Sequence, residues 1–173
     1  MKYHSNLPDI SGLKFLPGPH RYILQQGTVT LQLPSVTQLI RFISNEFYGQ
    51  IDPVTLHKAA DRGTRVHETV ELIDKDIWTP IDNDITGYIQ AYQSWKRDYQ
   101  PEIVATEWRG YHRTMFFAGT IDKVVRLPGQ GDGLVIVDLK TSSTYFPFLV
   151  DIQLAGYAQM IESWPGMKID STW

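Results

Sequence analysis

Ala118-Gly119-Thr120-Ile121-Asp122 is followed, sixteen positions after its aspartate, by the Asp138 of Val135-Ile136-Val137-Asp138-Leu139-Lys140-Thr141-Ser142. The second stretch is an apolar, β-branched run ending in Asp-x-Lys, and residues two apart on a strand point to the same side of a sheet. Asp138 and Lys140 therefore share a face. Between the aspartates, Pro128 to Gly133 is a turn-forming cluster joining two strand-like segments, Ile121 to Leu127 and Leu134 to Thr141, which predicts an antiparallel hairpin. Such a hairpin folds Asp122 back toward Asp138, setting two hard oxygen ligands and an ammonium in one small space. That is the chemistry of a Mg²⁺ or Mn²⁺ site with a lysine beside it for phosphate. The competing reading is a set of solvated strand-end charges, because a single Asp-x-Lys triplet arises by chance in a chain of this length.

Two features favour the site. The strand leading into Asp138 is too apolar for a surface strand, and downstream Gln153-Leu-Ala-Gly-Tyr157 places Gln153 and Tyr157 at i and i+4, on one helix face. Upstream, Arg62-Gly-Thr-Arg-Val-His67-Glu68 opens another helical pattern, with Val66, Val70 and Ile73 as its apolar stripe.

Taken in order, Gly119-Thr-Ile-Asp122, Val137-Asp138-Leu-Lys140-Thr-Ser and Gln153-Leu-Ala-Gly-Tyr157 resemble the RecB-type branch of the PD-(D/E)XK nuclease superfamily. The Arg62 to Glu68 segment resembles the helix that supplies this branch with a histidine metal ligand. His20-Arg-Tyr-Ile and Leu33-Pro-Ser-Val-Thr-Gln-Leu-Ile40 are similar to the opening of phage and prophage exonucleases of this group. The resemblance runs from about His20 to Ile161. It implies an α/β fold with a mixed central β-sheet flanked by helices, the Thr64 helix on one side and the Phe148 helix on the other. It also implies His67, Asp122, Asp138 and the Leu139 carbonyl as metal ligands for one or two ions. Lys140, Asp122, Asp138, Gln153 and Tyr157 become the catalytic set, with Gln153 and Tyr157 holding the DNA backbone and orienting the lysine.

Other candidates carry more than one reading each. Arg62 and Arg65, with Thr141, are read as DNA-phosphate contacts near a helix start that favours anions; alternatively the arginines pair with Asp61 or Glu68. Glu68 is either the acceptor that fixes the His67 tautomer, a water-mediated ligand, or a solvated helix carboxylate. Glu107 is a second-tier site residue or a strand-face partner of Arg109 or Arg113. Trp95 and Tyr99 belong to a stripe that is core or a base-stacking platform.

At 173 residues the chain reads as a single domain: an N-terminal β-hairpin and helices over 1–60, a catalytic core over 61–162 and a short tail over 163–173. Strands are expected over His20 to Gln25, Thr28 to Leu33, Glu102 to Tyr111 and Arg113 to Ala118. Ser35 is expected to cap a helix through Ile43, Asp52 a short one, Asp82 or Asn83 a long one ending at Tyr99, and the last helix starts about Pro147. Ile152, Leu154, Ala155 and Met160 form its expected apolar side. Trp164-Pro-Gly-Met is expected to pack against a partner subunit.

An apolar fraction of 42% with 20% charged residues is that of a globular protein in water. No stretch is long enough to cross a bilayer, and Met1 to Pro8 lacks the apolar segment of a signal peptide, so a cytoplasmic protein is expected, in the host cell if phage-encoded. The absence of cysteine excludes disulfides, thiolate-bound zinc and an iron–sulfur cluster. A net charge of −3 argues against a nonspecific nucleic-acid coat but not against a nuclease, whose acidic excess is in part its metal ligands.

These readings predict a Mg²⁺- or Mn²⁺-dependent deoxyribonuclease. The resemblance makes it an exonuclease acting on linear duplex or single-stranded DNA in phage recombination, replication or repair, with a homo-oligomer and phage recombination or replication proteins as partners. The alternatives are a structure- or sequence-selective endonuclease on the same core, and a catalytically silent nucleic-acid-binding or interaction module.

Overall fold

The computed structural model describes residues 7–8, 10–48, 51–131, 133–142 and 146–173. Residues 1–6, read above for a signal peptide, and Asp132 of the turn cluster lie outside the described residues.

The fold is mixed α/β, with two sheets and five helices among the described residues. The first sheet is an antiparallel meander of β1 (Leu13–Leu16), β2 (Arg21–Gln26) and β3 (Val29–Leu33). The expected hairpin is its second half. β1 is an addition, a four-residue strand too short to stand out from sequence. Tyr22, Leu24 and Leu33 bury this sheet against Tyr111 and Ala118.

Ser35 caps α1 (Val36–Leu39) through a capping box with Gln38. The single helix expected through Ile43 is divided at Ile40, whose N–H donates back to Val36 while its carbonyl accepts from Ile43 and Ser44 to begin α2 (Arg41–Tyr48). The two helical patterns around Asp52 and Thr64 are one 22-residue helix, α3 (Pro53–Asp74), capped by Asp52 with Pro53 in its first turn. Gly63 costs such a helix only about 1 kcal/mol relative to alanine, and a Cβ there would stand 3.3 Å from Thr141 Oγ1. The glycine thus lets α3 lie close to the segment carrying Lys140.

α4 (Thr86–Tyr99) starts later than expected and has no side-chain cap, because Asp82 and Asp84 are turned to Arg65 instead. The second sheet has the order β4 (Glu102–Tyr111), β5 (Ala118–Arg126), β6 (Leu134–Val137), β7 (Ile169–Thr172). The first two pairings are antiparallel and β6–β7 is parallel. Arg113 to Phe117, expected in a strand, is a turn: His112 Nδ1 accepts the N–H groups of Thr114 at 3.3 Å and Met115 at 3.1 Å, offering the backbone a partner other than a ladder.

β6 shows the period of two directly. Leu134 and Ile136 join the cluster with Leu154, Met160 and Ile161 of α5 (Pro147–Glu162), while Val135 and Val137 join the opposite one with Trp95 of α4. Helices therefore cover both faces of the sheet. The buried side of α5 is Leu149, Leu154, Tyr157, Met160 and Ile161 rather than one including Ala155, which is exposed. Trp164, expected at a partner, donates its Nε1–H to Tyr111 O at 3.1 Å and packs edge-on against that ring. The chain then re-enters the sheet as β7. Among the described residues no helix is long and apolar enough to cross a membrane.

Candidate metal centre

α3 presents His67 toward the sheet, and three oxygen-bearing groups surround its ring. Nδ1 lies 3.4 Å from Glu107 Oε1 on β4 and 3.4 Å from Asp122 Oδ1 on β5. Nε2 lies 3.2 Å from the carbonyl oxygen of Leu139, just past β6. One ligand atom each from His67, Glu107 and Asp122 fall within 4.8 Å of one another. The other oxygen of Asp122 accepts the Leu139 N–H at 2.7 Å, which orients the carboxylate and leaves Oδ1 for the cluster.

Glu107 reaches the cluster through its backbone. It sits in the middle of β4 at φ +49, a conformation that L-residues adopt at a cost of roughly 1–2 kcal/mol. Its neighbours keep register, Thr106 with Lys123 and Trp108 with Ile121, while Glu107 and Asp122 drop out of the ladder. Consecutive strand residues normally face opposite ways. Here Asp122 and Lys123 both reach α3, the first to His67 and the second to Asp74, seven residues further along the helix.

Asp138 and Lys140 form the adjoining half of the site. β6 ends at Val137, short of the Thr141 expected, so the triplet lies on the segment leaving the sheet. Its charges still meet: Lys140 Nζ is 2.6 Å from Asp138 Oδ2. Gln153 of α5 clasps both, with Oε1 accepting from Lys140 Nζ at 3.2 Å and Nε2 donating to Asp138 Oδ1 at 3.2 Å and to Tyr157 Oη at 3.1 Å. Since an ammonium only donates and a carboxylate only accepts, the amide has one possible orientation. Tyr157 is buried beneath it, and Gly119 makes room: a Cβ there would stand 2.7 Å from the Tyr157 ring.

The electrostatics follow from burial and crowding. Burial alone would lower the His67 pKa, but hydrogen bonds and charge from Asp122 and Glu107 outweigh it and raise the imidazole to about 10. The ring therefore carries a proton at neutral pH, held where a cation is favoured. The Asp138 carboxyl is pushed above the usual carboxylate range by burial and by the Asp122 charge, against the pull of Lys140. Burial likewise raises the Tyr157 hydroxyl, keeping it neutral.

One imidazole nitrogen and two carboxylates suit Mg²⁺ or Mn²⁺. A bound cation would take the place of the Nδ1 proton: with Nε2–H donated to Leu139 O, the Nδ1 lone pair would face the side of Asp122 and Glu107. The group of side chains that could hold a cation differs in membership from the expected His67, Asp122, Asp138 and Leu139 carbonyl. Glu107 joins the cluster, Asp138 stands outside it on Lys140 and Gln153, and Leu139 O serves His67 where Glu68 was considered. Glu68 is exposed and lines an open cleft of about 550 Å³ with His67, Glu71, Glu107 and Arg109.

The arginines are engaged within the protein. Arg65 pairs with Asp61 at 3.2 Å, Asp82 at 3.0 Å and Asp84 at 2.5 Å, one cation among three anions. Arg62 donates Nη2–H to Thr141 O at 3.1 Å and lies 5.6 Å over the Tyr88 ring, fastening α3 to the Lys140 segment. Sequence reasoning missed the support behind the site. Asp74, fully buried, takes Lys123 and Lys96 at 2.8 Å each and the Tyr92 hydroxyl at 2.7 Å. The only signal was that Asp74 falls two helical turns after His67.

No family model matches the chain, and no curated protein matches it either.

Proposed function

We propose that the protein is a divalent-cation-dependent deoxyribonuclease of the PD-(D/E)XK type, RecB-like branch, that hydrolyses phosphodiester bonds at DNA ends. The observation that carries this reading is the meeting, across Leu139, of the His67–Glu107–Asp122 cluster with the Asp138–Lys140–Gln153 clasp. Its motif order supports the same reading. A cation held by His67, Glu107 and Asp122 supplies Lewis acidity toward a phosphoryl oxygen and toward the attacking water.

The chain's own residues do the rest. Lys140 is the one cation of this pair that faces solvent, its side chain 36% exposed against 4% for Asp138. Its ammonium stands ready to meet the negative charge that builds on the phosphate in the transition state. Asp138 and Gln153 hold Nζ in place, and Tyr157 holds Gln153, so the lysine needs no reorganisation when the phosphate arrives. Asp122, with one oxygen tied to Leu139 N–H, couples the metal side of the site to the segment bearing Lys140. The assignment to DNA ends follows the likeness of the His20 to Ile40 segment to phage exonucleases.

The test is incubation of the purified protein with end-labelled duplex, single strands and closed circles, with and without Mg²⁺ or Mn²⁺, alongside Lys140→Ala. Metal-dependent loss of linear DNA only is expected. Cutting of circles moves the protein to the endonucleases, and no cutting of any substrate by the parent protein ends the proposal.

A further inference from the structure

Next to the metal centre lies a second cavity, of about 230 Å³, between α3, α4 and the segment after β6. Its inner end is apolar and buried, formed by Val66 and Val70. Toward its mouth it is lined by the half-buried rings of Tyr88 and Trp95 and by the exposed Ala91 and Lys140. Leu139 belongs to both places: its peptide group meets Asp122 and His67, and its side chain packs into the cluster that lines the cavity.

Size and chemistry narrow the occupant. Pockets for whole small-molecule ligands run to about 300–1,000 Å³, so this one admits a single ring system and not a nucleotide. Its sides suit an apolar, flat face, and its rim carries the Lys140 ammonium, with the Arg62 guanidinium 5.6 Å over Tyr88. A planar ring tethered to an anion satisfies both ends. We propose that this cavity takes one nucleobase of the strand whose phosphate lies at Lys140. The inference rests on the nuclease reading, and it makes that enzyme dependent on an unpaired base beside the scissile bond, because a base within a duplex stack cannot enter.

Binding of octathymidylate and of an octamer with the same backbone but no bases tests this, with Ca²⁺ in place of Mg²⁺ to suppress cleavage. Octathymidylate is expected to bind at least about tenfold more tightly, in keeping with base–aromatic stacking. Ala91→Leu, an exposed and helix-compatible change that fills the mouth, is expected to shrink the difference to about twofold or less, and Tyr88→Leu, which removes a ring without adding bulk, is expected to do the same. The Mn²⁺-induced rise in Tm, read in parallel, reports on the metal centre. Equal binding of the two octamers by the parent, or a difference that survives both variants, overturns the proposal. A base preference lost in the variants of a protein that takes up no Mn²⁺ leaves the base pocket standing and removes the metal reading instead.

Discussion

Asp74 and Lys123 form an ion pair of 2.8 Å with both side chains fully withdrawn from solvent, Lys123 being one residue along β5 from Asp122 of the candidate metal centre. Burying two charges costs several kcal/mol per ion, and removing one partner leaves the other uncompensated, at about 3–5 kcal/mol. Replacing both by apolar groups avoids that penalty. Asp74→Leu, which leaves the buried Lys123 without its counter-charge, is therefore expected to destabilise by about 3 kcal/mol or more in urea unfolding, and Asp74→Leu with Lys123→Met together by less, the remaining loss coming from Lys96 and the Tyr92 hydroxyl. If the double variant is as unstable as the single one, the pair is not the source of the loss.

The proposed metal centre predicts which carboxylates govern cation uptake. A ligand that binds only the folded state at a hundredfold excess over Kd stabilises it by about 2.7 kcal/mol. Mn²⁺ is expected to raise Tm in the parent protein and to have little effect on Asp122→Asn and Glu107→Gln. Glu68→Gln, altered at an exposed residue outside the cluster, is expected to keep the full response. Calorimetric titration with Mn²⁺ checks the same order, and a full response from Glu107→Gln removes Glu107 from the ligands.

Glu107 also allows function and stability to be separated. Alanine and glycine at 107 remove the same carboxylate but differ in what φ +49 costs them. Glu107→Gly is expected to be more stable than Glu107→Ala by about 1 kcal/mol, with cleavage lost in both. Equal stabilities would mean that the strand relaxes out of this conformation when the carboxylate is gone.

How far the site was legible in sequence depended on whether each contact repeats with a local period. Ile136 and Val137, facing opposite ways, and Gln153 and Tyr157, one turn apart, were readable because strands and helices impose those intervals. The place of Glu107 was not. A glutamate carries no mark of a left-handed backbone, and the break in the ladder opposite Asp122 that accompanies it has no local period. β7 was hidden for a different reason: Ile169-Asp-Ser-Thr is short and polar, and its parallel pairing with β6 depends on where α5 returns the chain. The expected Arg113 to Ala118 strand failed on a single side chain, the His112 ring that captures two backbone N–H groups.

That ring sets a pH dependence. His112 Nδ1 accepts hydrogen bonds, so the folded state needs the neutral imidazole, and burial holds its pKa below the ordinary value. A group depressed on folding adds stability above its unfolded pKa, about 6.5, and that contribution is lost as pH falls through the lower folded value. In urea unfolding of the metal-free protein between pH 7.5 and 5 this loss runs against the contribution of His67, whose raised pKa makes its share grow as pH falls toward about 6.5, so it is read by difference. His112→Asn, which keeps an acceptor but does not titrate, is expected to lose less stability toward pH 5 than the parent. An identical slope in both proteins would assign the acid sensitivity elsewhere.

Gln153 touches no member of the His67 cluster, so its effect on rate must pass through Asp138 and Lys140. Lys140→Ala is expected to lower kcat by several powers of ten, and Gln153→Leu by about 10²–10³, the scale of losing one preorganised transition-state contact. Both variants are expected to keep the Mn²⁺-induced rise in Tm. Residues that act as a unit are not additive. If Gln153 works by holding the ammonium in place, the double variant should be no slower than Lys140→Ala alone. A further drop of 10² or more in the double variant would show that Gln153 contacts the reacting phosphate itself, and the amide would then be a catalytic residue in its own right.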